Sequence, residues 1–186
     1  MKKAILSIVV LSALGFSAAS QAAVGATGII NFTGKINTDT CVVHGNGAGS
    51  PGGSVLNFPM GSVSVNALGT EANPATSSGS ATTLPVPLNF QLECASGTSV
   101  ELALTPTVVS GKGIGVTGGA EAVQIMLMRG STALDFSAPV TLNAPLSGGQ
   151  ANVALNAYYT VVEGKAVSDV VAGDANASVA YVLSYN

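Results

Sequence analysis

The chain has 186 residues, of which 47% are hydrophobic and only 8% are charged, and its formal net charge at pH 7 is −3. This sparse negative charge argues against nucleic acid or an anionic membrane as a partner, and the high hydrophobic fraction excludes an intrinsically disordered chain. The length suffices for one domain with a substantial core.

The first 22 residues have the pattern of a secretory signal peptide. Lys2 and Lys3 precede an apolar run from Ala4 to Ala18, and Ser20-Gln21-Ala22 has the small-x-small form of a cleavage site. The apolar run is shorter than the ~20 residues that a membrane helix needs. We therefore expect residues 1–22 to be removed on export, and the mature chain to begin at Ala23.

The two cysteines, Cys41 and Cys94, permit one intramolecular disulfide. Secretion into an oxidising compartment favours that bridge. The alternative is a reactive thiol beside His44, but no acidic residue stands close to this histidine in the sequence to orient it. The sequence therefore predicts the disulfide.

Alternation of apolar and polar residues recurs along the mature chain and predicts β-strands. In the clearest case Leu88, Phe90, Leu92 and Cys94 share one face. Pro85 and Pro87 place the start of this strand at an edge or outside the sheet. No segment has the capped 3.6-residue stripe of a helix. The predicted strands are 35–43, 55–58, 84–94, 99–104, 122–128, 152–159 and 178–186.

One glycine-rich segment spells a nucleotide-binding pattern, GxGxxG, at residues 113–118. A dinucleotide fingerprint needs a helix after it, whereas strands are predicted on both sides here. We expect a flexible turn.

The start of the mature chain is strand-like but has no partner next to it in sequence. If it is extended, Gly28, Ile30 and Phe32 point to one side, and Val24 and Ala26 continue that side with smaller groups. Such a tail is suited to filling a groove in another molecule.

The last predicted strand has the complementary property. Val179, Tyr181, Leu183 and Tyr185 share one face, and the sequence stops within this strand. An immunoglobulin-type sandwich has seven strands, whereas about six are predicted in the body when the first predicted strand, which continues from the tail, is left aside. We therefore expect an all-β, incomplete immunoglobulin-like sandwich that lacks its last strand and is completed in trans by a donor strand. Head-to-tail pairing of this kind builds a filament because it does not close.

These features resemble the structural pilins of chaperone–usher fimbriae, close to the type 1 major subunit. The resemblance covers nearly all of the mature chain. It rests on motifs that occur in the same order: Gly28-x-Ile30-x-Phe32-x-Gly34 before Cys41, Leu88-Asn89-Phe90-Gln91-Leu92-Glu93-Cys94, Ala157-Tyr158-Tyr159, and Tyr181-x-Leu183-x-Tyr185-Asn186.

The resemblance implies a division into a signal peptide (1–22), a donor-strand extension (23–34) and a pilin domain (35–186). It implies that Val24, Ala26, Gly28, Ile30 and Phe32 form the donor strand. The edge of the acceptor groove, which a periplasmic chaperone pairs with during delivery, is then formed by Val179, Tyr181, Leu183 and Tyr185. The implied partners are identical subunits, that chaperone and an outer-membrane usher, and the implied location is a cell-surface fimbrium reached through the periplasm.

Two other functions remain open at this point. A minor or adaptor pilin, or a receptor-binding fimbrial subunit, would share most of these features. A secreted enzyme on a β-sandwich is the third possibility, but no serine, histidine and acid group forms a catalytic set, and no cluster has metal-ligand spacing. We expect no catalytic residue, cofactor, metal, nucleic acid or small-molecule substrate.

Overall fold

The computed structural model of the chain describes residues 41–45, 55–77 and 79–186. The predicted signal peptide (1–22) and donor-strand extension (23–34) lie outside these residues, as does most of the strand predicted at 35–43. The statements below concern the described residues.

The described part of the chain is built from strands, with two 3₁₀ turns at Val65–Ala67 and Val167–Asp169 and no α-helix. None of its helical turns is long and apolar enough to cross a membrane. The strands are β1 Cys41–Gly45, β2 Gly69–Thr70, β3 Val86–Cys94, β4 Ser99–Pro106, β5 Val109–Ser110, β6 Gly113–Gly115, β7 Val123–Arg129, β8 Thr132–Ala133, β9 Val140–Pro145, β10 Gln150–Val161 and β11 Val179–Tyr185.

The strands form two sheets. The larger sheet has the order β1-β3-β10-β7-β6-β5, with β2 added to β10 and β8 added to β7, and the smaller sheet has the order β11-β4-β9. Except for the parallel contact between β2 and β10, neighbouring strands are antiparallel. The all-β prediction is confirmed.

The two sheets share one apolar core, and the alternation in the sequence explains which residues form it. On β3 the predicted face of Leu88, Phe90, Leu92 and Cys94 is buried. On β4 the inward positions are Val100, Leu102 and Leu104, and the Leu102 side chain has no exposed surface. Burying such side chains stabilises the fold by about 1.5–3 kcal/mol each.

One strand prediction and one turn prediction are wrong in the described region. Residues 55–58 form no strand: their exposure alternates, but their backbone joins no ladder with a described strand. The GxGxxG segment is not a turn throughout, because Gly113–Gly115 forms β6. The absence of side chains at Gly113 and Gly115 lets Gln124 and Val108 pack directly against this strand.

The proline prediction is partly confirmed. Strand β3 begins at Val86, so Pro85 lies outside it, but Pro87 lies within it, in register with Asn156 of β10. On its other side β3 pairs with β1 only from Phe90 onward.

Candidate functional site: an apolar groove along the last strand

Strand β11 is an edge strand of the smaller sheet. It pairs with β4 alone among the described strands, and Leu183 lies opposite the buried Leu102. Side chains alternate along it: Val179, Tyr181 and Leu183 are half-buried and pack against the core, whereas Val182 between them is 62% exposed.

The backbone N–H and C=O groups of β11 also alternate from residue to residue, between pointing towards β4 and pointing away from it. Asn186 exchanges two hydrogen bonds with Ser99, at 3.0 and 3.3 Å, and Ser178 accepts one from Thr107 at 2.9 Å. In an antiparallel pair the hydrogen-bonding direction alternates from residue to residue. The N–H and C=O groups of the odd-numbered residues between these points therefore point away from β4.

A second wall faces the same groove from the larger sheet. It consists of β1, an edge strand of that sheet among the described strands, and of the segment 55–63. Leu56, Phe58 and Met60 are half-buried and pack against the core, while the residues between them are exposed. The Phe58 ring meets the ring of Phe90 edge-on, with the centroids 5.4 Å apart.

The groove between these walls has a volume of about 1780 Å³, which exceeds the ~300–1,000 Å³ of typical small-molecule pockets. Its described lining contains a single charged residue, Asp174. The floor comes from both sheets and includes Leu88, Leu104, Ile114 and Ile125. A long, apolar and nearly uncharged groove suits an extended apolar segment better than a polar small molecule.

One end of the groove is formed by residues 170–178. This segment is bridged to residues 117–121 through the pairs Thr117–Asn176 and Glu121–Val171. The Tyr159 hydroxyl donates a hydrogen bond of 3.0 Å to the carbonyl of Ala175. Burial raises the pKa of Tyr159 above its ordinary value of 10.0, so the hydroxyl remains a donor at neutral pH.

The predicted disulfide between Cys41 and Cys94 is present. It joins the first residue of β1 to the last residue of β3, which lie opposite each other in the ladder. The alternative of a reactive thiol is therefore wrong. His44 lies 3.7 Å from Glu93, measured between Nε2 and Oε2.

The structure brings the predicted groove-edge residues Val179, Tyr181, Leu183 and Tyr185 together along one groove. The predicted donor residues lie outside the described residues; they are Val24, Ala26, Gly28, Ile30 and Phe32. Within the described part of the chain, no cluster of three metal-ligating side chains occurs.

Several groove residues were not predicted. The sequence did contain a signal for the second wall, because the alternation of apolar and polar residues through Leu56 and Phe58 continues to Met60, past the end of the strand predicted at 55–58. For Ile114 and Tyr159 the sequence contained no such signal, since no local pattern places either residue beside β11.

A sequence model of the family described as fimbrial protein matches residues 30–186. No curated protein sequence matches the chain. Among solved structures, the P pilus rod subunit PapA is similar with a TM-score of 0.50 and 18% identity, over 72% of this chain and 94% of PapA. A chaperone–usher pilus structure concerned with rod uncoiling has a TM-score of 0.51 and 18% identity, over 87% of this chain and 97% of that one.

The CupB6 tip adhesin from Pseudomonas aeruginosa is also similar, with a TM-score of 0.45 and 21% identity over 54% of this chain. The chain spans only 30% of that adhesin's length. The likeness to the PapA and rod-uncoiling structures shows that this chain has the fold of those pilus subunits. Because the family model covers most of the sequence, from residue 30 to residue 186, the chain belongs to the fimbrial protein family.

Proposed function

We propose that this fimbrial protein is a structural pilus subunit that polymerises by donor-strand exchange, with the tail of one copy seated in the groove of the next. The observation that carries the proposal is the apolar groove along β11. There the half-buried side chains of Val179, Tyr181 and Leu183 line a space large enough for a peptide segment.

The tail has the dimensions and spacing that this groove requires. The nine residues from Val24 to Phe32 span about 30 Å when extended, and the seven residues of β11 span about 23 Å. Every second tail residue is apolar or glycine, so one face of the tail can enter the groove while the other stays in water. Gly28 supplies a position without a side chain.

The energy for exchange comes from burial and from new backbone pairing. Burying Ile30 and Phe32 contributes about 1.5–3 kcal/mol each. Each backbone hydrogen bond formed along the outward edge of β11 adds a net ~0.5–1.5 kcal/mol. An edge strand with unpaired groups otherwise invites uncontrolled pairing between copies.

The risk of uncontrolled pairing at the exposed edge of β11 is the reason that we also propose a chaperone and an usher as partners. A periplasmic chaperone pairs with β11 during delivery, an outer-membrane usher exchanges it for the tail of the next subunit, and the product is a cell-surface fimbrium. The cysteine bridge fits passage through an oxidising compartment.

A matched pair of tail variants tests the proposal in the full mature chain. Phe32→Asp places a charge on the face that enters the groove, whereas Thr33→Asp places the same charge on the opposite face. The readout is SDS-resistant ladders on unheated gels of the purified protein. We expect the Thr33→Asp chain to form ladders and the Phe32→Asp chain to form none.

A second measurement controls for misfolding. Both variants should retain the Cys41–Cys94 disulfide and the β-sheet circular dichroism of the wild type. Ladders of equal yield from both variants, or none from the wild type, would show that the tail is not the polymerising segment.

A further inference from the structure

Glu71 is a buried carboxylate on the face of the larger sheet opposite the groove. It follows β2, and only 7% of its surface is exposed. Its Oε2 accepts a hydrogen bond of 2.9 Å from the Gln124 side chain on β7 and one of 3.1 Å from the backbone N–H of Lys112. A Cβ atom at Gly111 would overlap with the same oxygen. Glu71 therefore connects its own loop, the β5–β6 turn and β7.

No ammonium or guanidinium group forms an ion pair with Glu71 in the described part of the chain. The charged groups that face it are Lys112 from the β5–β6 turn, and Glu163 and Lys165 from the turn after β10. By itself, the burial of Glu71 would raise its pKa, because burial disfavours the charged form. Hydrogen bonds from the Gln124 side chain and the Lys112 backbone N–H, together with the charge of the Lys112 ammonium group, favour the ionised form, and the pKa lies below its ordinary value of 4.5.

Gln124 depends on this carboxylate in turn. The side chain has no exposed surface, and its Oε1 has no hydrogen-bond partner in the part of the chain that the structure describes. The bond to Glu71 is thus the polar contact that orients it. A hydrogen bond to a charged acceptor is roughly twice as strong as one to a neutral acceptor.

The carboxylate is connected to the groove floor through β6, a strand of only three residues. Gly113 packs against the Gln124 side chain, so that a Cβ there would lie 2.9 Å from its Oε1. The next residue, Ile114, points to the other face, is 2% exposed and lines the groove. Lys112, which donates to Glu71, also accepts a backbone hydrogen bond of 2.9 Å from the core residue Phe136.

We propose that ionised Glu71 acts as a latch that holds β6, and with it Ile114 in the groove floor, and that protonation in acid releases this latch. The consequence for strand uptake rests on the proposed function of the groove. The latch is closed above pH 4.5, where Glu71 is ionised in both folded and unfolded chains, and it opens as the pH falls through the lower folded-state pKa.

Backbone amide exchange in the full mature chain tests the latch without reference to polymerisation. The amides of Lys112 and Gly115 report on it, since the first donates to Glu71 and the second donates to Val108 across the β5–β6 hairpin. We expect their protection, corrected for intrinsic rates, to fall about tenfold in the wild type as the pH is lowered from 6 through the acid range below 4.5 in which Glu71 becomes protonated.

Glu71→Gln keeps the size of the side chain and removes its charge. At every pH, its Lys112 and Gly115 amides should therefore show the low protection that the wild type shows only in acid. Glu101→Gln, which removes a carboxylate from the outer side of β4, should behave like the wild type. A pH-independent wild type, or a Glu71→Gln chain that follows the wild-type acid profile, would overturn the latch.

The link to the groove is tested by the rate of ladder formation at pH 6. We expect Glu71→Gln to polymerise several-fold more slowly than the wild type and than Glu101→Gln. Equal rates for all three chains overturn the link between Glu71 and the groove. A wild type that shows the predicted exchange profile but forms no ladders supports the latch and overturns the polymerisation proposal instead.

Discussion

Two neighbouring residues of β11 give the sharpest test of the groove. Leu183 is half-buried, faces the core and lies opposite Leu102, whereas Val182 faces outward and is 62% exposed. Replacing each with Asp places the same charge on the same strand, once inside the groove and once on its outer surface. Only the first change should block the uptake of an apolar strand.

The magnitude follows from the two environments. Leu183→Asp removes apolar burial of about 2 kcal/mol. An Asp covered by a strand is expected to become neutral, and protonating a carboxyl of ordinary pKa 3.9 at pH 7 costs about 4 kcal/mol. The sum of about 6 kcal/mol corresponds to a roughly 10⁴-fold loss in the uptake equilibrium. Val182→Asp should cost at most about 1 kcal/mol, through β-propensity.

The assay is the yield of SDS-resistant ladders from the full mature chain, with circular dichroism as the control for folding. At pH 7 the Leu183→Asp chain should form no ladders and the Val182→Asp chain should form them. At pH 4 the protonation penalty falls to below about 1 kcal/mol while the loss of apolar burial remains, so the Leu183→Asp yield should recover in part relative to the wild type at the same pH. Equal behaviour of the two variants at pH 7 would refute the assignment of this face.

Three further predictions concern stability. Replacing both Cys41 and Cys94 with Ser opens a loop with a sequence separation of 53 residues and should lower the free energy of unfolding by about 4 kcal/mol in urea titrations; a loss below about 1 kcal/mol would contradict this. Gly111→Ala and Gly130→Ala both put a side chain at positive φ, but only the Ala at position 111 would overlap with Glu71. The loss in free energy of unfolding, measured from the urea midpoint, should therefore be about 1.5–3 kcal/mol greater for Gly111→Ala. Equal urea midpoints for the two variants would count against the Glu71 contact. Tyr159→Phe should cost about 1 kcal/mol by loss of the bond to Ala175. Because burial raises the pKa of Tyr159 above 10.0, wild-type stability should fall as the pH rises above about 10, where the unfolded tyrosine ionises first, and a Tyr159→Phe chain with the same alkaline profile would refute this.

The long strands could be predicted from the sequence because each has one buried face. On β3 the period-two pattern alone identified the buried positions, and on β11 it identified the face that lines the groove. Strand β9 was missed although Val140, Leu142 and Ala144 alternate with polar residues in the same way. The alternation at β9 covers only six residues and ends at Pro145, which made it easy to miss.

The short strands and the buried carboxylate could not be predicted from local patterns. Strands of two or three residues such as β5 and β6 have no period to detect. Glu71 lies in a segment of polar composition, and its two hydrogen-bond partners are 41 and 53 residues away in sequence. Its burial is set by how the β5–β6 turn packs against β7. The segment at 55–58 failed for the opposite reason, since alternation shows which side chains are buried but does not supply a ladder partner.

The position of the disulfide determines how the domain would respond to tension. Cys41 is the first residue of β1, an edge strand of five residues, and Cys94 ends β3, which has β1 on one side and β10 on the other. A pulling force applied to the residues before Cys41 enters β3 directly through the sulfur atoms. The short ladder of β1 is bypassed and cannot be peeled open from its end. The resistance to unfolding at this point is then set by the inner strand β3 and its two ladders, not by the edge strand β1.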